Sequence, residues 1–216
     1  TLLLASTSMF AINPHTFSKL PYDPEKSFRP VTNFLGASLV MAVNNNVPAS
    51  NIKEFVAWAK SRPGRVSFAS FTAGNSSHFA GVILNERAGI DMLHVPFNGT
   101  PPAVTALLGD QVDVAFLPLQ AVKSYVSAGR VKVLAVTSPQ RSPLMPQIAT
   151  FREQGYPDLE IYIWSAIGAP AGTPDAVIGK LNTEFVKILR SAEIKEKWKA
   201  FDFEPLPSTP QEFNRF

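Results

Sequence analysis

The sequence contains no cysteine, which excludes disulfide bonds and thiolate metal sites. Charged residues make up only 17% of the chain, and this low fraction argues against wholesale disorder. The formal net charge is +3, yet no cluster of Lys and Arg is longer than two residues. Because a nucleic-acid-binding surface needs a basic stripe, we expect no nucleic-acid partner.

Long apolar runs and a recognisable leader are also missing. No run reaches the roughly 18 apolar residues that a membrane-spanning helix requires, and no signal peptide is visible. The chain instead opens on Thr1–Ala5, an apolar run that is typical of a buried strand. Since a natural N-terminus rarely begins inside a core strand, we expect upstream sequence, with any export signal, to precede residue 1.

The residues that are present predict an α/β fold. The hydrophobic fraction of 45% is enough for one or two cores. Between Val66 and Val136, strand-like and helix-like segments alternate, with short connections between them. This order requires a parallel or mostly parallel sheet with right-handed crossovers.

The segments outside this stretch are less regular. Leu2–Ala5 and Tyr162–Ala169 are predicted strands, and Asn51–Glu54 resembles a capping box that starts a helix. We predict a short helix at Gln147–Gln154 and a longer one that begins at Thr173–Asp175.

One polar loop is the strongest candidate for a binding site. Phe71–His78 carries a glycine, follows a predicted strand and opens a predicted helix. A helix start presents free backbone N–H groups and the positive end of the helix dipole, which suit a carboxylate or another small anion. The candidate ligand residues in this loop are Thr72, Gly74, Asn75, Ser76 and His78. The alternative is that Asn75 and Ser76 only cap the helix.

A second loop repeats the pattern about twenty residues later. Its candidate residues are Phe97, Asn98, Gly99 and Thr100, with Thr100 as the predicted N-cap before a proline. Two such loops on neighbouring parallel strands would face one crevice. The alternative is a plain turn from strand to helix. Ser6, Thr7 and Ser8 follow the first predicted strand and are further candidates, unless they form an ordinary turn.

Catalytic and metal-binding interpretations find little support. The three histidines, His15, His78 and His94, have no ligand spacing such as i, i+4. Ser76 and His78 do not face each other on a helix, and the loop lacks the second glycine of a Gly-x-Ser-x-Gly elbow. We therefore expect no enzyme activity, no metal and no cofactor, although an α/β hydrolase is kept as an alternative.

Taken together, the motifs resemble the Bug family, the extracytoplasmic solute-binding receptors of tripartite tricarboxylate transporters. The resemblance covers nearly the whole chain, and it depends on the order and spacing of its motifs. These are Leu4–Ser8, Leu20–Pro24, Phe28–Val31, Gly74–Ala80, Val95–Gly99, Leu108–Val114, Trp164 and Ala169–Pro174.

The resemblance implies a two-domain α/β clamshell of the Venus flytrap type that closes on its ligand by hinge motion. Domain one would comprise residues 1–43 and 163–216, and domain two residues 44–162. The implied protein is a periplasmic monomer that captures a small carboxylate in an interdomain cleft and delivers it to membrane transporter subunits. A ligand-sensing module for a two-component signalling system is the alternative.

The chain also departs from the family pattern. The family's first strand and glycine-rich loop would precede Thr1, and its final helix would follow the last residue. Family members often carry an aromatic-basic-glycine triplet at the positions of Phe97–Gly99, and a polar residue near Leu117–Pro118. Both changes make the site less polar. They imply a ligand with more apolar surface than a simple C4 dicarboxylate.

Overall fold

A computed structural model describes the whole chain, residues 1–216. The strands are β1 (Leu3–Ser6), β2 (Phe28–Asn44), β3 (Val66–Ser70), β4 (Met92–Pro96), β5 (Val114–Pro118), β6 (Val131–Val136), β7 (Tyr162–Pro170) and β8 (Glu204–Pro205). The α-helices are α1 (Asn13–Thr16), α2 (Ile52–Lys60), α3 (Ser76–Ala88), α4 (Thr100–Leu108), α5 (Leu119–Ser127), α6 (Asp175–Arg190), α7 (Ala192–Lys199) and α8 (Pro210–Arg215). A π-helical turn at Ser8–Ile12 and a 3₁₀ turn at Pro157–Leu159 complete the set.

The chain forms two compact units, and the long strand β2 contributes to both. The first unit comprises Thr1–Ala37 and Ile163–Phe216, and the second comprises Ser38–Tyr162. This division falls earlier along β2 than the predicted boundary after Val43. The reason is strand pairing, because Leu39–Val43 pair with β5, which belongs to the second unit.

The second unit contains the predicted alternation of strands and helices. Strands β3 and β4 pair in parallel, with Ser70 opposite Pro96, and β3 also pairs in parallel with β5, with Phe68 opposite Val114. Strand β2 runs antiparallel to both β5 and β6, so the sheet is mixed. The predicted strand–helix order from Val66 to Val136 is confirmed, and β3, β4 and β5 end at the same edge of the sheet.

Helix α3 lies very close to the sheet. Gly81 makes this approach possible, because a Cβ atom at this position would overlap the Phe68 ring. The helix ends at Gly89, whose left-handed conformation (φ 61°) is typical of a glycine C-cap. Phe68, Leu84 and Phe116 are fully buried, so the end of α3 that faces β3 is fixed by a packed core.

The predicted helix at Gln147–Gln154 is wrong, since this segment forms turns. The Thr150 N–H donates to Glu153 Oε2 at 2.7 Å, and the Glu153 N–H donates to Thr150 Oγ1 at 3.0 Å. These reciprocal bonds start a single turn in the middle of the predicted helix. Gly155, at φ 91°, then ends it.

The first unit is built around a second, smaller core. Strand β1 pairs antiparallel with β7, which pairs with β2, and β2 pairs antiparallel with β8. Val31, Ile167 and Ile178 form the buried centre, and Phe34 and Phe185 pack against it. No helix of the structure combines the length and apolar character needed to cross a membrane.

Candidate functional site

The carboxyl ends of three neighbouring parallel strands each lead into a helix. Strand β3 leads to α3, β4 to α4 and β5 to α5, and β3 lies between the other two strands. The loops after β3 and β4 are joined directly, because the Gly99 N–H donates to the Phe71 carbonyl at 2.9 Å. The two predicted ligand loops are therefore neighbours at one edge of the second unit.

The start of α3 is partly capped by its own residues. Asn75 Oδ1 accepts hydrogen bonds from the Ser77 N–H at 3.0 Å, the Ser77 hydroxyl at 2.7 Å and the His78 N–H at 3.1 Å. The capping alternative is thus correct for the side-chain oxygen of Asn75. The N–H groups of Ser77 and His78 serve the fold and are not open to an anion.

The remaining donors of this turn are open. The N–H groups of Asn75 and Ser76 have no protein acceptor, and the Ser76 hydroxyl has no protein partner. Yet Ser76 is only 6% exposed and Asn75 only 5% exposed. The Ser76 hydroxyl oxygen is nevertheless reached by solvent, because the one buried side-chain polar atom without a partner is Asn33 Oδ1. These donors are therefore free to serve a bound acceptor. The helix dipole makes an anion the preferred acceptor.

The start of α4 is poorer in donors than the sequence suggested. The N-cap is Gly99, at φ 108°, and Thr100 is the first helical residue, so the prediction of Thr100 as N-cap is wrong. Pro101 and Pro102 follow, and neither carries an N–H group. In the first turn only the Thr100 N–H remains for an anion, while the Asn98 side chain is exposed to solvent.

A third helix start follows β5, where the sequence pattern predicts a helix over Ala121–Ala128. Helix α5 begins at Leu119, directly after Pro118, whereas the sequence placed its start at Ala121. No side chain caps its first turn.

The candidate His78 contacts the loop and a second histidine. Its Nδ1 accepts the Gly74 N–H at 3.1 Å, and its ring stacks on His94 with centroids 3.7 Å apart. Burial lowers the pKa of His78. Burial, and secondarily the neighbouring His78, also lowers the pKa of His94. Both rings are therefore neutral near pH 7.

Neither histidine forms a catalytic arrangement. The hydroxyl–imidazole pair in this region is Ser70 Oγ and His94 Nε2, 2.7 Å apart, and Ser70 is fully buried. The Ser70 hydroxyl also donates to the Thr72 carbonyl at 3.0 Å, so it is not a free nucleophile. No group of three or more His, Cys, Asp or Glu side chains is placed to hold a metal ion.

Two further side chains that the sequence singled out hold the local fold. The Thr72 hydroxyl donates to the carbonyl of Phe71. Asp113, which alternates with Val112 and Val114 in the sequence, accepts the Ser67 N–H at 2.8 Å and the Ser67 hydroxyl at 3.0 Å, so its carboxylate is structural.

Ser6, Thr7 and Ser8 lie in the first unit, whereas the other candidates lie in the second. The Thr7 hydroxyl donates to the Trp164 carbonyl at 3.0 Å and accepts the Trp164 N–H at 2.7 Å. Ser6 ends β1, opposite Ser165, and Ser8 begins the π-helical turn. The Thr7 hydroxyl is thus engaged by the chain itself.

The first unit also contains a cavity of about 320 Å³. Its wall combines the aromatic side chains of Phe10, Phe28, Trp164, Phe213 and Phe216 with polar ones that include Glu25 and Arg29. None of the predicted ligand residues lines it, so it is separate from the open donors at the start of α3.

Comparison with known proteins identifies the family of this chain. The family model described as tripartite tricarboxylate transporter family receptor matches residues 1–216. The chain belongs to this receptor family. BugT from Bordetella pertussis is 30% identical to it over 217 residues, and the match covers 100% of this chain and 67% of BugT. The Bug resemblance is therefore confirmed.

Solved structures of receptors give the same fold. A protein of R. palustris solved with adipate is 26% identical, with a TM-score of 0.93 over 100% of this chain and 72% of that one. MatC from Rhodopseudomonas palustris, solved with malate, is 26% identical, with a TM-score of 0.87 over 100% of this chain and 74% of MatC. The predicted α/β periplasmic-binding-protein fold is confirmed, and the family consists of receptors, not enzymes.

The chain is shorter than the receptors it matches. It spans 63% and 56% of the lengths of two further relatives, from Pseudomonas sp. strain P51 and from Bordetella pertussis.

Proposed function

We propose that this chain belongs to an extracytoplasmic receptor that binds a small carboxylate and delivers it to a tripartite transporter. The observation that carries the proposal is the first turn of α3, where the N–H groups of Asn75 and Ser76 and the Ser76 hydroxyl have no protein partner. The adipate and malate bound to two proteins of the same fold support a carboxylate as ligand.

The donors at α3 suit a carboxylate without help from an arginine. A carboxylate oxygen can accept both main-chain N–H groups and the hydroxyl, and hydrogen bonds to an ionised acceptor are about twice as strong as neutral ones. Since Ser76 is only 6% exposed, these bonds form in a partly desolvated site. The positive end of the α3 dipole adds a further favourable interaction.

The surroundings favour a ligand with an apolar portion. Phe97 is half-buried and packs against the core of the second unit, and Leu117 and Pro118 end the neighbouring strand β5. Helix α4 adds few donors because of Pro101 and Pro102. We therefore infer a carboxylate whose chain is longer or more apolar than that of malate.

The test is isothermal titration of the chain with adipate, malate and an aromatic acid. Adipate or the aromatic acid is expected to bind more tightly than malate. Ser76→Ala removes one hydroxyl donor and is expected to weaken binding about 10- to 150-fold, as the loss of one hydrogen bond to a charged group does. The matched control is Ser127→Ala, at the exposed end of α5, which is expected to bind like the parent chain.

Two outcomes would contradict the proposal. One is binding of sugars or amides with no response to any acid. The other is an equal effect of Ser76→Ala and Ser127→Ala on carboxylate affinity. The roles of Ser6, Thr7, Ser8, Asn98 and Thr100 as ligand residues stay predictions, and their alanine variants belong in the same titration series.

The transporter partnership and the periplasmic location rest on membership of the receptor family. They are tested by affinity purification of the full-length protein from cells grown on the bound acid. Recovery of membrane transporter subunits is expected. Recovery of a sensor ectodomain in their place would favour the signalling alternative.

A further inference from the structure

Three rings form a continuous stack beside the α3 turn. His94 lies against His78, with centroids 3.7 Å apart and planes 12° apart, and against Phe68, with centroids 4.9 Å apart. We call Phe68, His94 and His78 the ring stack. Phe68 is 1% exposed and sits under Gly81, so its position is fixed by the core.

Each histidine of the ring stack is bonded to a different part of the loop between β3 and α3. His78 Nδ1 accepts the Gly74 N–H at 3.1 Å. His94 Nε2 lies 2.7 Å from Ser70 Oγ, whose hydroxyl donates to the Thr72 carbonyl at 3.0 Å. With the Ser70 proton engaged in this way, the His94 ring donates the shared hydrogen. Both ends of the loop are therefore tied to the stack.

These bonds require one ring tautomer. A His78 Nδ1 that accepts and a His94 Nε2 that donates both correspond to a neutral imidazole with its proton on Nε2. Among the elements packed against α3, strands β3 and β5 carry no titratable residue, and His94 is the one in β4. The charged side chains are Glu86, Arg87 and Asp158, near the far end of α3. Along the helix axis Arg87 is about 13 Å from His78.

We propose that His94 and His78 are positioning residues that hold the Phe71–Asn75 loop so that the open N–H groups of Asn75 and Ser76 converge on the ligand carboxylate. The inference rests on the proposed function, which assigns the carboxylate to those donors. His94 touches no ligand in this arrangement. It acts through Ser70 and through the stacked ring of His78, and preorganised donors bind an anion more tightly than mobile ones.

The first test separates the hydrogen bond of His94 from its stacking. His94→Phe keeps a ring on Phe68 and His78 but removes the donor to Ser70, and it is expected to weaken adipate binding about fivefold. His94→Gln keeps a side-chain N–H donor and is expected to bind within about twofold of the parent chain. The control His15→Phe changes a histidine of the first unit and is expected to leave adipate affinity unchanged.

A double-mutant cycle adds a stricter criterion. Ser70→Ala breaks the same chain of hydrogen bonds, so the combined effect of Ser70→Ala and His94→Phe on adipate affinity is expected to be smaller than the product of the two single effects. Fully multiplicative losses, or a His94→Phe variant that binds adipate like His15→Phe, would overturn the proposal.

The second test needs neither a ligand nor a variant. Nitrogen-15 NMR of the imidazoles in the parent chain is expected to show protonated Nε2 and unprotonated Nδ1 in both histidines at pH 7. A protonated Nδ1 on His78 would overturn the positioning role even if adipate binds. If no acid binds while both histidines show the expected tautomer, the proposed function is wrong, although the hydrogen bonds of the ring stack are as described.

Discussion

In the second unit the parallel strands β3, β4 and β5 come from one segment of alternating strands and helices, which β2 joins from farther away, whereas the first unit has no such segment and pairs strands far apart in the chain. Strand β3 pairs with both β4 and β5, and all three lie within residues 66–118 of the second unit. In the first unit Leu3 lies opposite Gly168 and Leu35 opposite Pro205. Local order can be read from sequence patterns, but long-range pairing cannot, because its contacts leave no period in either partner.

The two units also differ in how much apolar surface they leave exposed. The large apolar side chains that are exposed in the second unit are Val82 and Leu93. Those in the first unit are Leu2, Leu4, Phe17, Val177, Ile188, Phe201 and Phe216. The second unit therefore has the better closed core, and we expect it to be the more stable of the two.

The largest expected effect tests this difference in the cores. Phe116→Ala removes a fully buried ring of the second unit and is expected to lower the free energy of unfolding by about 3–5 kcal/mol. Phe185→Ala removes a half-buried ring from the first unit and is expected to cost about half as much. Urea denaturation followed by tryptophan fluorescence and by circular dichroism measures both. Equal losses of unfolding free energy in the two variants would contradict the expected difference between the two cores.

A smaller effect is expected from Asp113→Ala. This carboxylate accepts two hydrogen bonds from Ser67 and joins β3 to the start of β5. Its loss leaves the Ser67 N–H without an acceptor and is expected to cost about 1–3 kcal/mol. The measurement is the shift in urea midpoint, with Asp91→Ala, an exposed carboxylate outside this pair, as control. No shift would show that water replaces the carboxylate at no cost.

The pH dependence of stability sharpens the comparison further. The pKa of His78 and of His94 is lowered in the folded chain, chiefly by burial, so the unfolded chain binds protons more readily. The free energy of unfolding is therefore expected to fall as the pH drops below the ordinary imidazole pKa of about 6.5. In the double variant His78→Asn, His94→Phe this dependence should weaken. Thermal melts of the parent chain and of the double variant between pH 5 and 8 measure this dependence. An equal slope of stability against pH in the two proteins would contradict the prediction.

The smallest effect is expected at the surface of the first unit. Arg29 pairs with Asp175, whose side chain is 91% exposed, so solvent screens the attraction. Asp175→Asn is expected to change the free energy of unfolding by no more than about 0.5 kcal/mol. A loss similar to that of Asp113→Ala would mean that this ion pair stabilises the first unit far more than its exposure suggests.

Much of the fold was predictable because its signals are local. The cap of α3 at Asn75 and the left-handed end at Gly89 are both visible in the sequence. The helix predicted at Gln147–Gln154 failed because Thr150 and Glu153 bond to each other within one turn. The same residue types start a helix elsewhere, at Thr209 and Glu212 of α8. A capping pair therefore marks a turn start, and only the residues after it decide whether a helix continues.

The site was predicted in part. The sequence identified the loop after β3 and its helix start, but it could not show that the Asn75 side chain caps the helix while the Ser76 hydroxyl has no protein partner. The directions of these two side chains cannot be read from the spacing of residues in the sequence. The sequence also missed His94, because its ring reaches His78 only through the parallel pairing of β3 and β4. Ring contacts between strands depend on the tertiary structure and cannot be read from the sequence.

The paired prolines at the beginning of α4 have a consequence for hydration. A helix start normally holds ordered water on its unpaired amides, and a ligand must displace that water before it can settle there. Pro101 and Pro102 remove two of these amides. Less water therefore has to leave this turn, and we expect a methylene chain of the proposed ligand to lie against it at a small desolvation cost.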